Sequence, residues 1–238
     1  MQTFELIIRQ PHRNNRKMTP KGMTGGNPML ALDHIIISAH NPEQAAQEFA
    51  NKYGITVVQG SEHPNWGTYN YLAYFRNDCY IEWIGIADWA VANQSTNPLI
   101  QQLAGKLSNG TEGTIQYALR TDRMHAYIDH FHAQGIAYTG PFPGSRKRSD
   151  GQLLKWQMLF PSSESTENVW PFLIEWDDVK NTPPDENMIN DQHISSLDAI
   201  INNPNEFAAI YQLPYTHQTA RLENAELRFA EAWSFVLR

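Results

Sequence analysis

Cysteine is almost missing from this chain: Cys79 is the only one in 238 residues. A single thiol excludes an intramolecular disulfide and any cysteine-rich metal site, and its plainest role is a small residue in a strand. No apolar run approaches the roughly 18 residues that a spanning helix needs, and the N-terminus lacks the basic, apolar, small order of a signal peptide. A cytoplasmic protein with no membrane partner is therefore expected. Positive charge is scarce too. Lys and Arg number 18 against 25 Asp and Glu, a formal net charge of -7, and no basic stripe interleaved with aromatics runs through the body of the chain, which argues against a nucleic-acid partner. A small-molecule ligand is the expected partner, with the protein a monomer or homodimer.

What is present is an ordinary globular composition, 41% hydrophobic and 18% charged, enough for a real core. Residues 1–28 stand apart: Arg9, Arg13, Arg16, Lys17 and Lys21 lie among Pro, Asn, Gly and Met, without a periodic apolar pattern. They read as a disordered extension rather than part of the domain. From Leu32 the pattern is strand, helix from Pro42 with Asn41 or His40 as cap, and then three strands. This βαβββ unit spans 29–88. A connector at 89–113 holds a short helix, and a second βαβββ unit spans 114–178, with an insertion expected at Pro161 to Val169. A weaker, partial third copy spans 190–238, with Ser196 where the first copy has His34. The fold class expected is α+β, built from tandem βαβββ modules, with the third piece covering an open sheet edge.

The most unusual feature is a repeated carboxylate. Ile81-Glu82-Trp83 returns as Ile174-Glu175-Trp176, each glutamate set in an apolar, aromatic run that reads as a buried strand. A buried carboxylate needs a cation, a metal or several donors. Two in matching contexts suggest a duplicated module converging on one polar centre.

Tandem βαβββ units with Leu32-Asp33-His34 on a first strand and glutamates on fourth strands resemble the glyoxalase/bleomycin-resistance fold of the vicinal oxygen chelate superfamily. More narrowly, His63-Pro64-x-x-Gly67-Thr68-x-Asn70, then Arg148-x-Asp150-Gly151-x-x-Leu154-x-Trp156, then Pro171 to Trp176 look like the glyoxalase-like domain family. The resemblance implies that the modules face each other and that one residue from each first and fourth strand ligates a metal. Carried over by position, these are His34, Glu82, Gln116 and Glu175. Such a set suits one divalent ion, Zn, Ni, Co, Mn or Fe. The chemistry implied is that of a lyase or isomerase working through an enediolate-type intermediate, with Glu175, and then Glu82, as the proton-transferring catalytic residues. The same superfamily implies an alternative, a metal-free small-molecule binding protein.

His63, Trp66, Asn70, Arg148 and Trp156 are the expected substrate contacts, Arg148 for a carboxylate or phosphate. Each has a plainer alternative: a His-Pro turn for His63, a solvated charge run for Arg148, core packing for Trp156. For the two glutamates the alternative is a salt bridge to Arg120, Arg148 or Lys155.

Overall fold

The computed structural model describes residues 30–148, 150–162 and 170–238. The N-terminal extension and most of the insertion expected at 161–169 fall outside them. The first module runs β1 (Ala31–Ser38), α1 (Pro42–Tyr53), β2 (Val58–His63), β3 (Thr68–Phe75) and β4 (Cys79–Ile86). Asn41 caps α1, its Oδ1 accepting from the Gln44 N–H at 3.1 Å. Pro42 sits where no helical amide partner is needed, and Gly54 closes the helix at φ 66°. Two helices follow, α2 (Trp89–Ala92) and α3 (Pro98–Ser108). The second module is β5 (Gly113–Arg120), α4 (Met124–Gln134), β6 (Tyr138–Lys147), β7 (Leu153–Pro161) and β8 (Phe172–Trp176).

The modules join through their first strands. β1 lies parallel to β4 and antiparallel to β5, giving one nine-stranded sheet of order β2-β3-β4-β1-β5-β8-β7-β6, with β9 (Ile189–Asn190) added to β3. A local two-fold passes between Ile35 and Tyr117, which oppose each other. The pair His34 and Ala118 on one side is matched by Ile36 and Gln116 on the other, and a bulge at Asp33 in β1 is mirrored by one at Ile115 in β5. His34 and Gln116 are therefore counterparts, as the spacing in the sequence suggests.

The fourth strands do not follow the sequence repeat. Glu82 lies beside Ile36 in the ladder, while Phe172 lies beside Ala118 and Ile174 beside Arg120. Since Ala118 is the counterpart of Ile36, Phe172 is the counterpart of Glu82, and Glu175 is the counterpart of Gly85. The two Ile-Glu-Trp segments are offset by three residues from the structural repeat. An odd offset turns a strand side chain to the opposite face.

One face of the sheet packs on α1, α4 and the third module, around Leu32, Trp83, Leu119, Phe131 and Phe207. On the other, inner face, α3 sets Leu99 and Leu103 against Ile36 and Ile84. The sheet curls until its outermost strands meet, with Arg146 of β6 donating to Ser61 Oγ of β2 at 2.9 Å.

The third module comprises β10 (Ile194–Ile200), α5 (Pro204–Tyr211), β11 (Tyr215–Thr216), β12 (Thr219–Arg221) and β13 (Glu226–Ala230), followed by β14 (Ser234–Leu237). It forms its own five-stranded sheet instead of covering an edge of the first. β10 pairs in parallel with β13 and antiparallel with β14, and it carries a bulge at Ser195 like that at Asp33. The register puts Ser196 in the place of His34 and Arg228 in that of Glu82. Arg228 donates to Ser196 Oγ at 2.5 Å and pairs with Asp198 at 2.7 Å, a self-neutralised arrangement.

Candidate functional site

The inner face of the first module carries the polar centre. β1, β3 and β4 bring His34, Asn70 and Glu82 to a cavity of about 50 Å³, and all three are buried, His34 at 3% exposure and Glu82 at 7%. The bulge in β1 sets Asp33 beside its own neighbour: Asp33 Oδ1 is 2.6 Å from His34 Nδ1. With Nδ1–H donating to Asp33, the other ring nitrogen, Nε2, faces Glu82 Oε2 at 3.5 Å. The second Glu82 oxygen accepts from Asn70 Nδ2 at 2.5 Å, and Asn70 Oδ1 accepts from the Ser61 N–H at 2.7 Å. The imidazole is stacked on Tyr80 with centroids 4.5 Å apart and the rings 13° from parallel, and Phe172 meets it edge-on. The result is a line of polar groups, Asp33, His34, Glu82 and Asn70, held by neighbours on every side.

Asp33 is the anchor of this line. Burial pushes its carboxyl up. The His34 hydrogen bond, the charges of His34 and Arg120 and the Trp176 N–H outweigh that and hold it below the ordinary aspartate value. Arg120 reaches Asp33 Oδ2 at 3.2 Å and Trp176 Nε1 donates to it at 3.0 Å. His63, at the end of β2, lies 3.2 Å from Thr68 Oγ1. Burial pushes its imidazole below its usual value; the Glu82 charge opposes this and the Arg146 charge adds to it.

His34, His63, Trp66, Asn70, Glu82 and Trp156, all expected at the site, line this cavity. Three other expected residues do not. Glu175 is turned away from it by the offset described above. Its Oε1 accepts from the Met124 N–H at 3.1 Å, supplying the cap that Arg123 does not give to α4, a carboxylate at a helix N-terminus where it is favoured. Gln116 is buried, but both ends of its amide are committed, to the Trp170 carbonyl and the Tyr117 N–H. Arg148 is held by Asp150 and the Thr182 carbonyl. The salt bridges considered for the glutamates do not form either: Arg120 pairs with Asp33, and Arg148 with Asp150.

The cation in the cavity wall is Arg146, near the end of β6 and two residues before Arg148, which lies just past that strand. It donates to Ser61 Oγ, Asn181 Oδ1 and Tyr74 OH, all neutral oxygens. Among the described residues no carboxylate lies in ion-pair range of it. Asp33, Tyr80, Trp176 and Asn181 were missed as well. An acid inside the apolar run Leu32 to Ile37 was the available signal for Asp33. Nothing in the local sequence separates Arg146 from Arg148, two arginines of one short basic run at the end of β6.

The four-residue metal set does not assemble. The first module offers His34 and Glu82, whereas the second offers Phe172 in the place of a glutamate and a Gln116 whose amide is already bonded. Among the described residues no three His, Cys, Asp or Glu side chains gather as a ligand set, so the residues present do not fit the four-donor centre.

Two paired βαβββ modules around an inner-face cavity define a glyoxalase-fold protein of the vicinal oxygen chelate superfamily. Within it, the chain belongs to the glyoxalase-like domain family, whose model matches residues 32–214. The crystal structure of a hypothetical protein from Staphylococcus aureus superposes with a TM-score of 0.71 at 17% identity, over 88% of this chain and 91% of that one. Methylmalonyl-CoA epimerase from Mycobacterium tuberculosis aligns at 16% identity over 66% of this chain and 93% of its own, with a TM-score of 0.48. A search of curated proteins gave no match. No helix among the described residues is long and apolar enough to cross a membrane.

Proposed function

We propose that the protein binds a small carboxylate-bearing metabolite in the inner cavity and moves a proton on the carbon next to that carboxylate, an isomerase-type reaction. The observation that carries this reading is Arg146, a guanidinium lining the cavity with only neutral oxygens as partners. A half-buried guanidinium whose side-chain partners are all neutral suits a ligand carboxylate. Opposite charge on the ligand completes it.

The chemistry follows from the line behind it. Asp33 fixes the His34 ring so that Nε2 points toward Glu82, the way a buried carboxylate orients a catalytic imidazole. His34 and Glu82 then form an acid and base pair, one removing the substrate proton and the other returning it. Asn70 holds Glu82 in place by its amide. Arg146 stabilises the enediolate charge that develops on the carboxylate oxygens. Of the four donors that the metal-assisted version expected from the resemblance uses, only His34 and Glu82 line the cavity, and the proton transfer is assigned to these two side chains. Phe172 in the place of a second glutamate also favours the alternative reading, a metal-free binding protein using the same Arg146.

The test is proton exchange in D₂O followed by NMR, over a panel of small 2-hydroxy and 2-oxo carboxylates. Exchange at the carbon next to the carboxylate or carbonyl is expected with the wild type. Glu82→Gln and His34→Gln should abolish it while binding persists, and Arg146→Gln should weaken binding. Binding without exchange in the wild type would establish the binding protein instead. Carboxylate binding indifferent to Arg146→Gln would overturn both readings. A full equivalent of divalent metal after reconstitution, lost in His34→Ala, would restore the metal-assisted version.

A further inference from the structure

The inner cavity is too small to be the whole site. At about 50 Å³ it takes the reacting head of a metabolite and little more. A second, larger cavity of about 450 Å³ opens beside it, and His63, Trp66 and Trp156 line both. These three rings form the junction between chamber and groove. Trp66 and Trp156 meet at 6.2 Å and 63°, and the His63 ring stands edge-on to Trp156 at 6.3 Å. Beyond the junction the groove is lined by Pro64, Pro143 and Gly144, with the polar side chains of Lys155, Gln157 and Asp177 along it. A methyl group on Gly144 would overlap the Trp156 indole, so the missing side chain is what lets the indole lie against the strand.

We infer that the groove is a subsite for a planar, aromatic tail, and that the ligand is an aromatic carboxylic acid whose head enters the chamber while its ring stacks at the Trp66 and Trp156 junction. Rings stack on indole faces and edges with a gain beyond simple burial, and the polar groups along the groove can fix the orientation of a ligand held by those rings. The inference rests on the carboxylate reading of Arg146, which fixes where the head goes.

The test separates head from tail with a matched pair of acids, lactate and 3-phenyllactate, titrated into the full-length protein and its variants by calorimetry. In the wild type 3-phenyllactate should bind about tenfold or more tightly than lactate, the size of one stacked ring. Trp66→Ala should bring the ratio of the two affinities toward one, and Trp66→Phe should restore most of it. Equal affinities in the wild type, or a ratio that survives Trp66→Ala, overturns the aromatic subsite. Arg146→Gln should weaken both acids. Lactate binding unchanged in Arg146→Gln overturns the head assignment alone, because the ratio between the two acids does not depend on it. No binding of either acid by the wild type overturns both.

Discussion

Asp33 and His34 are neighbours in the chain and also each other's hydrogen-bond partners, Oδ1 to Nδ1 at 2.6 Å. Adjacent residues of a regular strand point to opposite faces; only the bulge in β1 brings these two side chains together. The same bulge lets Asp33 reach Arg120 and Trp176 across the sheet. One irregular residue thus ties the ring that faces Glu82 to the second module.

Replacing Asp33 with Asn should be costly. An amide can still accept one bond, but its NH₂ must face donors on His34, Arg120 or Trp176, and Arg120 loses its counter-charge. A loss of about 2–4 kcal/mol is expected from breaking a buried, hydrogen-bonded charge, read as a lower urea midpoint at pH 7. The pH dependence has a definite sign. The native carboxyl titrates below its ordinary value of 3.8, so its stabilisation is present above that value and is lost as the pH falls through the depressed one. Asp33→Asn should remove that part of the acid sensitivity. Equal acid-induced losses in the two proteins would contradict it.

Replacing Glu175 should cost stability and spare the chemistry, and replacing Glu82 should do the reverse. Glu175→Ala removes the acceptor for the Met124 amide at the start of α4 and should cost about 1 kcal/mol, as for other lost helix caps, with carboxylate binding intact. Glu82→Gln leaves the shape of the cavity but removes its carboxylate, and should abolish proton exchange. Thermal melts and the NMR exchange assay distinguish the two. Exchange lost in Glu175→Ala without unfolding would return that residue to the site.

Gly60 is a sensitive position away from the chemistry. A methyl group there would overlap Asn70 Oδ1, the atom that accepts from the Ser61 amide, while the Asn70 amide nitrogen holds Glu82. Gly60→Ala should displace Asn70, cost about 1–3 kcal/mol by overpacking and lower exchange activity more than tenfold. A variant that keeps wild-type exchange would show that Asn70 does not position Glu82.

Cys79 should be inert while the protein is folded. It is buried, and burial pushes its thiol up to about 12. Since the thiolate is the reactive form, iodoacetamide at pH 8 should leave the native protein unmodified and label one site per chain in urea, read by intact mass. Rapid labelling of the native protein would refute this.

The sequence by itself determined the modular fold. Strand and helix periodicities, the Asn41-Pro42 cap and Gly54 stop are local signals, and they repeat, so the pairing of His34 with Gln116 as counterparts could be read from spacing. It also marked His34 and Glu82, polar groups in apolar strand runs, and, in and beside the family motif, His63, Trp66, Asn70 and Trp156. What only the tertiary structure decided was the direction of each side chain. The Ile-Glu-Trp repeat hid an odd offset between fourth strands, and one residue of register turns a carboxylate from a cavity wall to a helix cap. Arg146 lies in β6 and Arg148 just beyond it, and only the curl that brings β6 against β2 gives the first neutral partners in a cavity while the second is tied to Asp150. Asp33 became part of the site through a bulge, which depends on how two strands pair and so is not written in either strand alone.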